Sequence, residues 1–281
     1  MLAWLALAAA SFGAPPARAG GIWGDLGDDA RWLGRTAWYD VRSIVTLPLA
    51  ITHITEITPT QLLEGAAVMG AIGGTIALDQ SIRRQARTIG PQTGRELQSD
   101  ATIVSWASLG LLYGAGLVGD RDRWRQGALT GGESAVASMG LTKVTKPAFG
   151  RQRPDADLGA YRWWDGGTSF VSDAATPHFA IAEAVSDSFD HAWWITLPTY
   201  ATAAAVGVGR MAQDRHWASD ILGSAALGYG TQSLFGFFHE REKKEDEEQG
   251  PQREEAPAGG EPQVTIAPQP GGAALAVTMR L

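Results

Sequence analysis

Gly209-Arg210-Met211-Ala212-Gln213-Asp214-Arg215-His216-Trp217-Ala218-Ser219-Asp220 decides how this chain is read. It joins two uncharged, helix-length stretches, residues 192–209 and 221–238, and sets an imidazole one helical turn before a carboxylate. Residues four apart on a helix share a face, so Asp220 can bond one nitrogen of His216 and leave the other outward and more basic. A His–Asp pair of this spacing is also an ordinary feature of helix surfaces. Arg210, upstream on the same stretch, gives this pair a chemical reading: guanidinium beside imidazole suits a phosphoryl group.

Further uncharged stretches lie at 65–78 and 101–119, and shorter apolar helices are expected at 134–145 and 177–188. Strand-like alternation is scarce before residue 263, so the fold class expected is all-α, a helical bundle of about six core helices. Two or three stretches approach the ~20 residues that span a bilayer's hydrocarbon core. They are rich in Ala, Gly, Ser and Thr, a composition that serves a close-packed helical core or a membrane bundle equally. The expectation is an envelope protein with membrane-embedded or membrane-apposed helices, without assigned spans.

A second cationic element precedes the first: Lys146-Pro147-Ala148-Phe149-Gly150-Arg151-Gln152-Arg153-Pro154. Pro154 biases Arg153 out of helical geometry, so its side chain should project from a loop beside a helix that ends near Lys146. The bland alternative is a basic surface loop, with Arg151 and Arg162 nearby, and Arg215 falls in that solvated class.

Lys146 with Arg153-Pro154, then Arg210, His216 and Asp220 in that order and spacing, resemble the phosphatidic acid phosphatase type 2 family, which includes bacterial acid phosphatases and vanadium haloperoxidases. The resemblance covers residues 62–238. It implies that His216 is a nucleophile forming a phosphohistidine, that Asp220 orients it, and that Lys146, Arg153 and Arg210 clamp phosphate. The family's middle element runs proline, serine, glycine, histidine: the serine and nearby amides contact phosphate, and the histidine protonates the leaving oxygen. Here the gap-free register gives Val171-Ser172-Asp173-Ala174. Ser172 is retained, the acid becomes Ala174, and Asp173 places a carboxylate near the phosphate pocket, where it repels a dianion. In a second register, Ala175-Thr176-Pro177-His178 replaces the element: Thr176 caps a helix, Pro177 opens it, and His178 inherits the acid's role near the positive helix end. The alternative makes His178 a satisfied helix-face histidine.

The chain has 281 residues and a net charge of −7, with much of the acid in residues 239–255, which argues against nucleic acid as partner. Cysteine is absent, which excludes disulfides, thiolate zinc sites and cysteine nucleophiles. No metal or other cofactor is called for, because Lys and Arg supply the positive charge. Walker-type loops, His-Glu-x-x-His elements and Gly-x-Ser-x-Gly elbows are missing from the sequence.

The domain organisation expected is a signal peptide or N-terminal anchor over 1–19, an irregular entry segment over 20–61, the phosphatase-type helical domain over 62–238, a charged, Pro/Gly-rich linker over 239–262, disordered or a frayed helix end, and a short C-terminal β-hairpin over 263–281. This implies export to the periplasm or envelope of a bacterium. The function expected is hydrolysis of a phosphomonoester or lipid pyrophosphate, impaired by loss of the acid; the partners are a phosphorylated small molecule or lipid phosphate and a membrane. The alternative is a non-catalytic module that binds phosphate or lipid. Haloperoxidase chemistry shares the cationic pocket. Oligomeric state is not addressed by the sequence.

Overall fold

Proline and glycine set the helix boundaries in the computed structural model, which describes residues 22, 24–34, 36, 58–249, 263–269 and 272–278. Helix α1 covers residues 24–34 and α2 runs Pro59–Ala86. After a 3-10 turn at Arg87–Ile89, Gly90 adopts φ 83°, a value that favours glycine, and Pro91 opens α3, Pro91–Val118. Helix α4, Asp122–Phe149, stops at Gly150 in the left-handed region, whose N–H donates to the Lys146 carbonyl. Helices α5, Thr176–Asp187, α6, Trp193–Ala212, and α7, Ala218–Gln249, complete the body.

Helix α5 is the centre. Every residue from Thr176 to Ser186 is buried, the polar Thr176, His178, Glu183 and Ser186 included, so the helix is packed by neighbours all round. One cluster joins Leu109, Leu112, Trp124, Ile181, Val185 and Ile195 of α3, α4, α5 and α6. A second joins Ala101, Phe179, Ala203, Val206 and Ile221 of α3, α5, α6 and α7. Helix α3 packs extensively on α6, and α4 on α5.

Small residues permit these approaches. A Cβ on Gly209 of α6 would lie 2.5 Å from the Gly94 carbonyl oxygen of α3, and one on Gly228 of α7 would lie 2.4 Å from the Thr176 oxygen of α5. By contrast α2 exposes Leu62, Leu63, Val68, Met69 and Leu78. Leu62–Ile89 and Pro91–Val118 are long and apolar enough to cross a membrane, with 11% and 33% of their apolar windows buried.

The chain divides into two compact units, Met1–Phe238 and His239–Leu281. The expected class of about six core helices with a terminal hairpin is corrected by these elements. Seven helices are present, and among the described residues of the first unit no strand occurs, so its class is all-α without a β component. Helix α1 forms in the segment read as irregular because Asp25 and Asp29, one turn apart, both face the buried Arg125 of α4, at 3.5 and 3.2 Å. The Tyr113 hydroxyl of α3 also donates to Asp29. Helix α7 continues to Gln249 through the charge run expected to be a disordered linker or a frayed helix end. Glu240 with Lys244 and Lys243 with Glu247 stand at helical spacing in residues of high helix propensity. In the second unit the backbones of Gln263–Gln269 and Gly272–Thr278 pair antiparallel; the fold class rests on the first unit alone. The expected signal peptide lies outside the described residues.

Gly228→Ala should lower stability by about 1–3 kcal/mol, because the clash is with backbone rather than a flexible side chain. Gly230→Ala, two residues on and with nothing within 4 Å, should be neutral or slightly stabilising. Thermal unfolding of the two variants beside the parent checks this; equal melting temperatures for all three would show that the α5–α7 contact is loose.

Candidate active site

A buried guanidinium organises one end of the bundle. Arg151, just beyond the α4 cap, is fully buried. Its Nη2 donates to Asp79 Oδ2 of α2 at 2.7 Å and to the Ala160 carbonyl at 2.8 Å. Its Nη1 donates to Ser219 Oγ at 2.7 Å and to Asp220 Oδ1 at 2.5 Å. The Trp163 ring lies 4.4 Å from the guanidinium carbon, with Trp217 on it at 5.6 Å. Asp79 also accepts the Ser219 N–H and hydroxyl, at 2.9 and 2.6 Å, and so caps the start of α7.

Asp220 is engaged on both oxygens. Beside Arg151 it accepts the Ser169 hydroxyl at 2.5 Å and the Trp217 N–H at 2.9 Å. Burial alone would push its carboxyl up, but the His216 ring, the Arg151 guanidinium and the Ser169 hydroxyl hold it below the usual range.

His216 is buried, in the loop between α6 and α7. Its Nδ1 is 2.8 Å from the Ser169 carbonyl oxygen and 3.6 Å from Asp220 Oδ2. A carbonyl only accepts, so Nδ1 carries the proton and Nε2 holds the lone pair. Asp220 therefore acts on the ring mainly through charge and through Ser169, while the Ser169 backbone fixes the tautomer. Nε2 is buried with no hydrogen-bond partner. Burial, first, then Arg210 and Lys146 disfavour the imidazolium against the pull of Asp220, so the ring's pKa is lowered.

Lys146 and Arg210 act on that ring through charge, and Arg153 acts on both of them. Lys146 stands in the last turn of α4, Arg210 in the last turn of α6, and Arg153 in the loop between α4 and α5 with the extended backbone (φ −76°, ψ 158°) its proline requires. Lys146 Nζ donates to the Thr168 carbonyl at 2.9 Å. The Nε groups of Arg153 and Arg210 are buried without partners. Burial first, then Arg153, lowers the pKa of both Lys146 and Arg210, against the opposing pull of Asp173. Asp173 Oδ1 lies 3.5 Å from Lys146 and Oδ2 lies 3.6 Å from Lys143.

The remaining expected residues sit elsewhere. Ser172 is fully buried; its Oγ accepts the Ala175 N–H at 3.3 Å, and its own N–H donates to Ser224 Oγ at 2.9 Å. Thr176 does not cap α5: its hydroxyl donates back to the Ser172 carbonyl at 2.7 Å. His178 turns to α3, with Nε2 3.3 Å from Thr102 Oγ1 and its ring edge-on to Trp106. Burial pushes its pKa down to about 4, and none of the clamp's charges acts on it. Arg215 is half-exposed beside Asp155, in the solvated class expected of it. An open groove of about 440 Å³, lined by Pro147, Gly150, Trp164, Gly166, Gly167 and Thr168, starts at the residue whose carbonyl holds Lys146.

Residues 128–242 match the family model described as the PAP2 superfamily. This region is a PAP2 superfamily domain. It holds Lys146, Arg151, Arg153, Asp173, Arg210, His216 and Asp220, while Asp79 lies outside it. A lipid A 1-phosphatase from Porphyromonas gingivalis is 24% identical over 155 residues, which are 55% of this chain and 33% of that protein. The chain thus spans about a third of the length of this curated relative. No solved structure matches.

Two residues of the buried network do not stand out in the sequence as site residues. Arg151 was grouped with surface-loop cations, yet it is wholly buried; its signal was its place in a loop flanked by Lys146 and Arg153. Asp79 carried a clearer one, a carboxylate inside a long apolar helix, where burial demands a charged partner.

Arg151→Met should destabilise the protein by about 3–5 kcal/mol, because two buried carboxylates lose their shared counter-charge. Arg151→Lys should recover only part of this, since one ammonium cannot reproduce the fork. Denaturant unfolding of both variants measures it, and a loss under about 1 kcal/mol for Met would show that the network is dispensable.

Proposed function

We propose that this chain is a phosphohydrolase that cleaves a phosphomonoester or pyrophosphate on a lipid, by way of a phosphohistidine on His216. The observation that carries the reading is the bare His216 Nε2, held as a lone pair by the Ser169 carbonyl, with Lys146 and Arg210 acting on the ring through charge and Arg153 acting on both of those cations. Nε2 attacks phosphorus, an N–P bond forms, the P–O bond to the leaving group breaks, and water later releases phosphate. The three cations stabilise charge on the phosphoryl oxygens. The PAP2 superfamily match supports phosphatase chemistry. The relative's substrate, the apolar groove beside Thr168 and the two long apolar helices support a lipid phosphate at a membrane.

A second reading, a phosphate-binding module with little turnover, is favoured by one observation: position 174 is alanine, and His178 faces Thr102 rather than the clamp. General acid catalysis contributes ~10²–10⁴-fold, so its loss spares good leaving groups and penalises alkoxides. An aryl phosphate should therefore be cleaved far faster than an alkyl phosphate. Asp173→Gly with Ala174→His should raise the alkyl rate by about 10²-fold or more. Acid-stop trapping should give a labelled phosphohistidine in the parent and none in His216→Ala. Binding of phosphate with no labelled protein on any substrate would select the second reading. The neutral ring is the nucleophile and its pKa is lowered, so the phosphorylation rate should hold as pH falls through the ordinary histidine range of about 6.5 and decline only below it. A decline centred at that ordinary value would contradict a desolvated nucleophile.

A further inference from the structure

Asp173 sits inside a site otherwise built of positive charge. Lys143 and Lys146 of α4 face its carboxylate at 3.6 and 3.5 Å, and Arg210 of α6 and His216 of the following loop act on it through charge. Neither lysine contact is within ordinary hydrogen-bond length, so lone pairs of the carboxylate remain uncommitted. Its side chain is 35% exposed and open to a ligand in the clamp. Burial alone would raise its pKa, but Lys146, His216, Lys143 and Arg210 outweigh burial and keep it ionised.

An ionised carboxylate only accepts hydrogen bonds. A fully deprotonated tetrahedral anion bound by Lys146, Arg153 and Arg210 would set oxyanion against oxyanion at Asp173. A phosphoryl group bearing one P–O–H instead donates to that carboxylate and turns repulsion into a charge-assisted bond. We propose that Asp173 makes the clamp selective for a singly protonated phosphoryl group and rejects tetrahedral dianions that carry no proton. This rests on the clamp reading of Lys146, Arg153 and Arg210 given above. A site built around a ligand's proton discriminates strongly against the analogue lacking it, because the acceptor is then left facing charge. The expected preference is about ten- to hundredfold.

The probes are inorganic phosphate, which can supply the proton, and sulfate, of the same shape, which at neutral pH cannot. Calorimetric titration of the full chain in detergent or nanodiscs gives both affinities at each pH. Their ratio, taken where both anions are divalent, cancels charge changes on Lys143, Lys146, Arg210 and His216, since both then meet the same field with the same charge. The parent should prefer phosphate by at least about tenfold, and the preference should persist as pH rises through phosphate's second ionisation, because hydrogen phosphate still carries one P–O–H. Asp173→Asn, of equal size and able to donate, should bind sulfate well and bring the ratio close to one. Arg153→Ala should weaken both anions together. Equal binding of the two anions by the parent, or a ratio unchanged in Asp173→Asn, overturns the proposal and leaves the clamp standing. So does a parent that binds neither anion while Asp173→Asn binds both, because the carboxylate is then a plug. Failure of every variant to bind either anion, or binding indifferent to Arg153→Ala, removes the clamp reading itself.

Discussion

The ion pairs of Arg151 with Asp79 and Asp220 are the constraint on which the site depends. One guanidinium ties the far end of α2, the loop after α4 and the first turn of α7, three segments distant in sequence. Desolvating three charges is offset only when geometry is good and every remaining lone pair is used. Here Asp79 is completed by Ser219, and Asp220 by Ser169 and the Trp217 amide. Because Ser169 gives its hydroxyl to Asp220 and its carbonyl to His216, the network also fixes which imidazole nitrogen is free. Arg151 thereby acts on the tautomer of His216 through two intervening partners, Asp220 and Ser169.

The clamp stands in deliberate contrast to that satisfied network. Arg153 Nε, Arg210 Nε and His216 Nε2 are buried and unpartnered, and like-charged neighbours press on one another. Lys146 and Arg210 occupy the last turns of α4 and α6, where the negative end of the helix dipole supports a cation. The partial charges of two helix ends thus replace part of the hydration these cations have lost. On the proposed reading an arriving anion supplies the rest.

Local rules made the helical domain legible. Uncharged stretches of helical length became α3, α6 and α7, and Pro154 put Arg153 in an extended loop. The misses share a cause, since each depends on long-range pairing. The carboxylates of α1 show as helix former only once Arg125 is placed opposite them, and Asp79 acquires a role only when α2 lies against Ser219. His178 illustrates the converse: its place at the opening of α5 was correct, but a helix buried on all sides gives no sequence cue to which neighbour a residue faces, and Thr102 of α3 took it. Beyond Phe238, where a linker is expected, α7 continues as helix to Gln249.

Alternation of helix direction explains why the chemistry gathers where it does. Even-numbered α2, α4 and α6 finish at the end of the bundle where α3, α5 and α7 begin, so loops from three connections meet there. The contacts fix this: Arg83 near the end of α2 bonds Asp214 of the α6–α7 loop at 2.5–2.7 Å, and Gly94 at the start of α3 meets Gly209 and Ala212 at the end of α6. The turn at Gly90 joins the two helices long and apolar enough to cross a bilayer, and it lies at this same end. Were α2 and α3 to cross, their shared turn would emerge on the side that carries His216 and its cations. A phosphate at the polar edge of a lipid layer would then reach the clamp without its apolar chains leaving the layer, and Trp164, exposed beside the groove, is of the type favoured at that boundary.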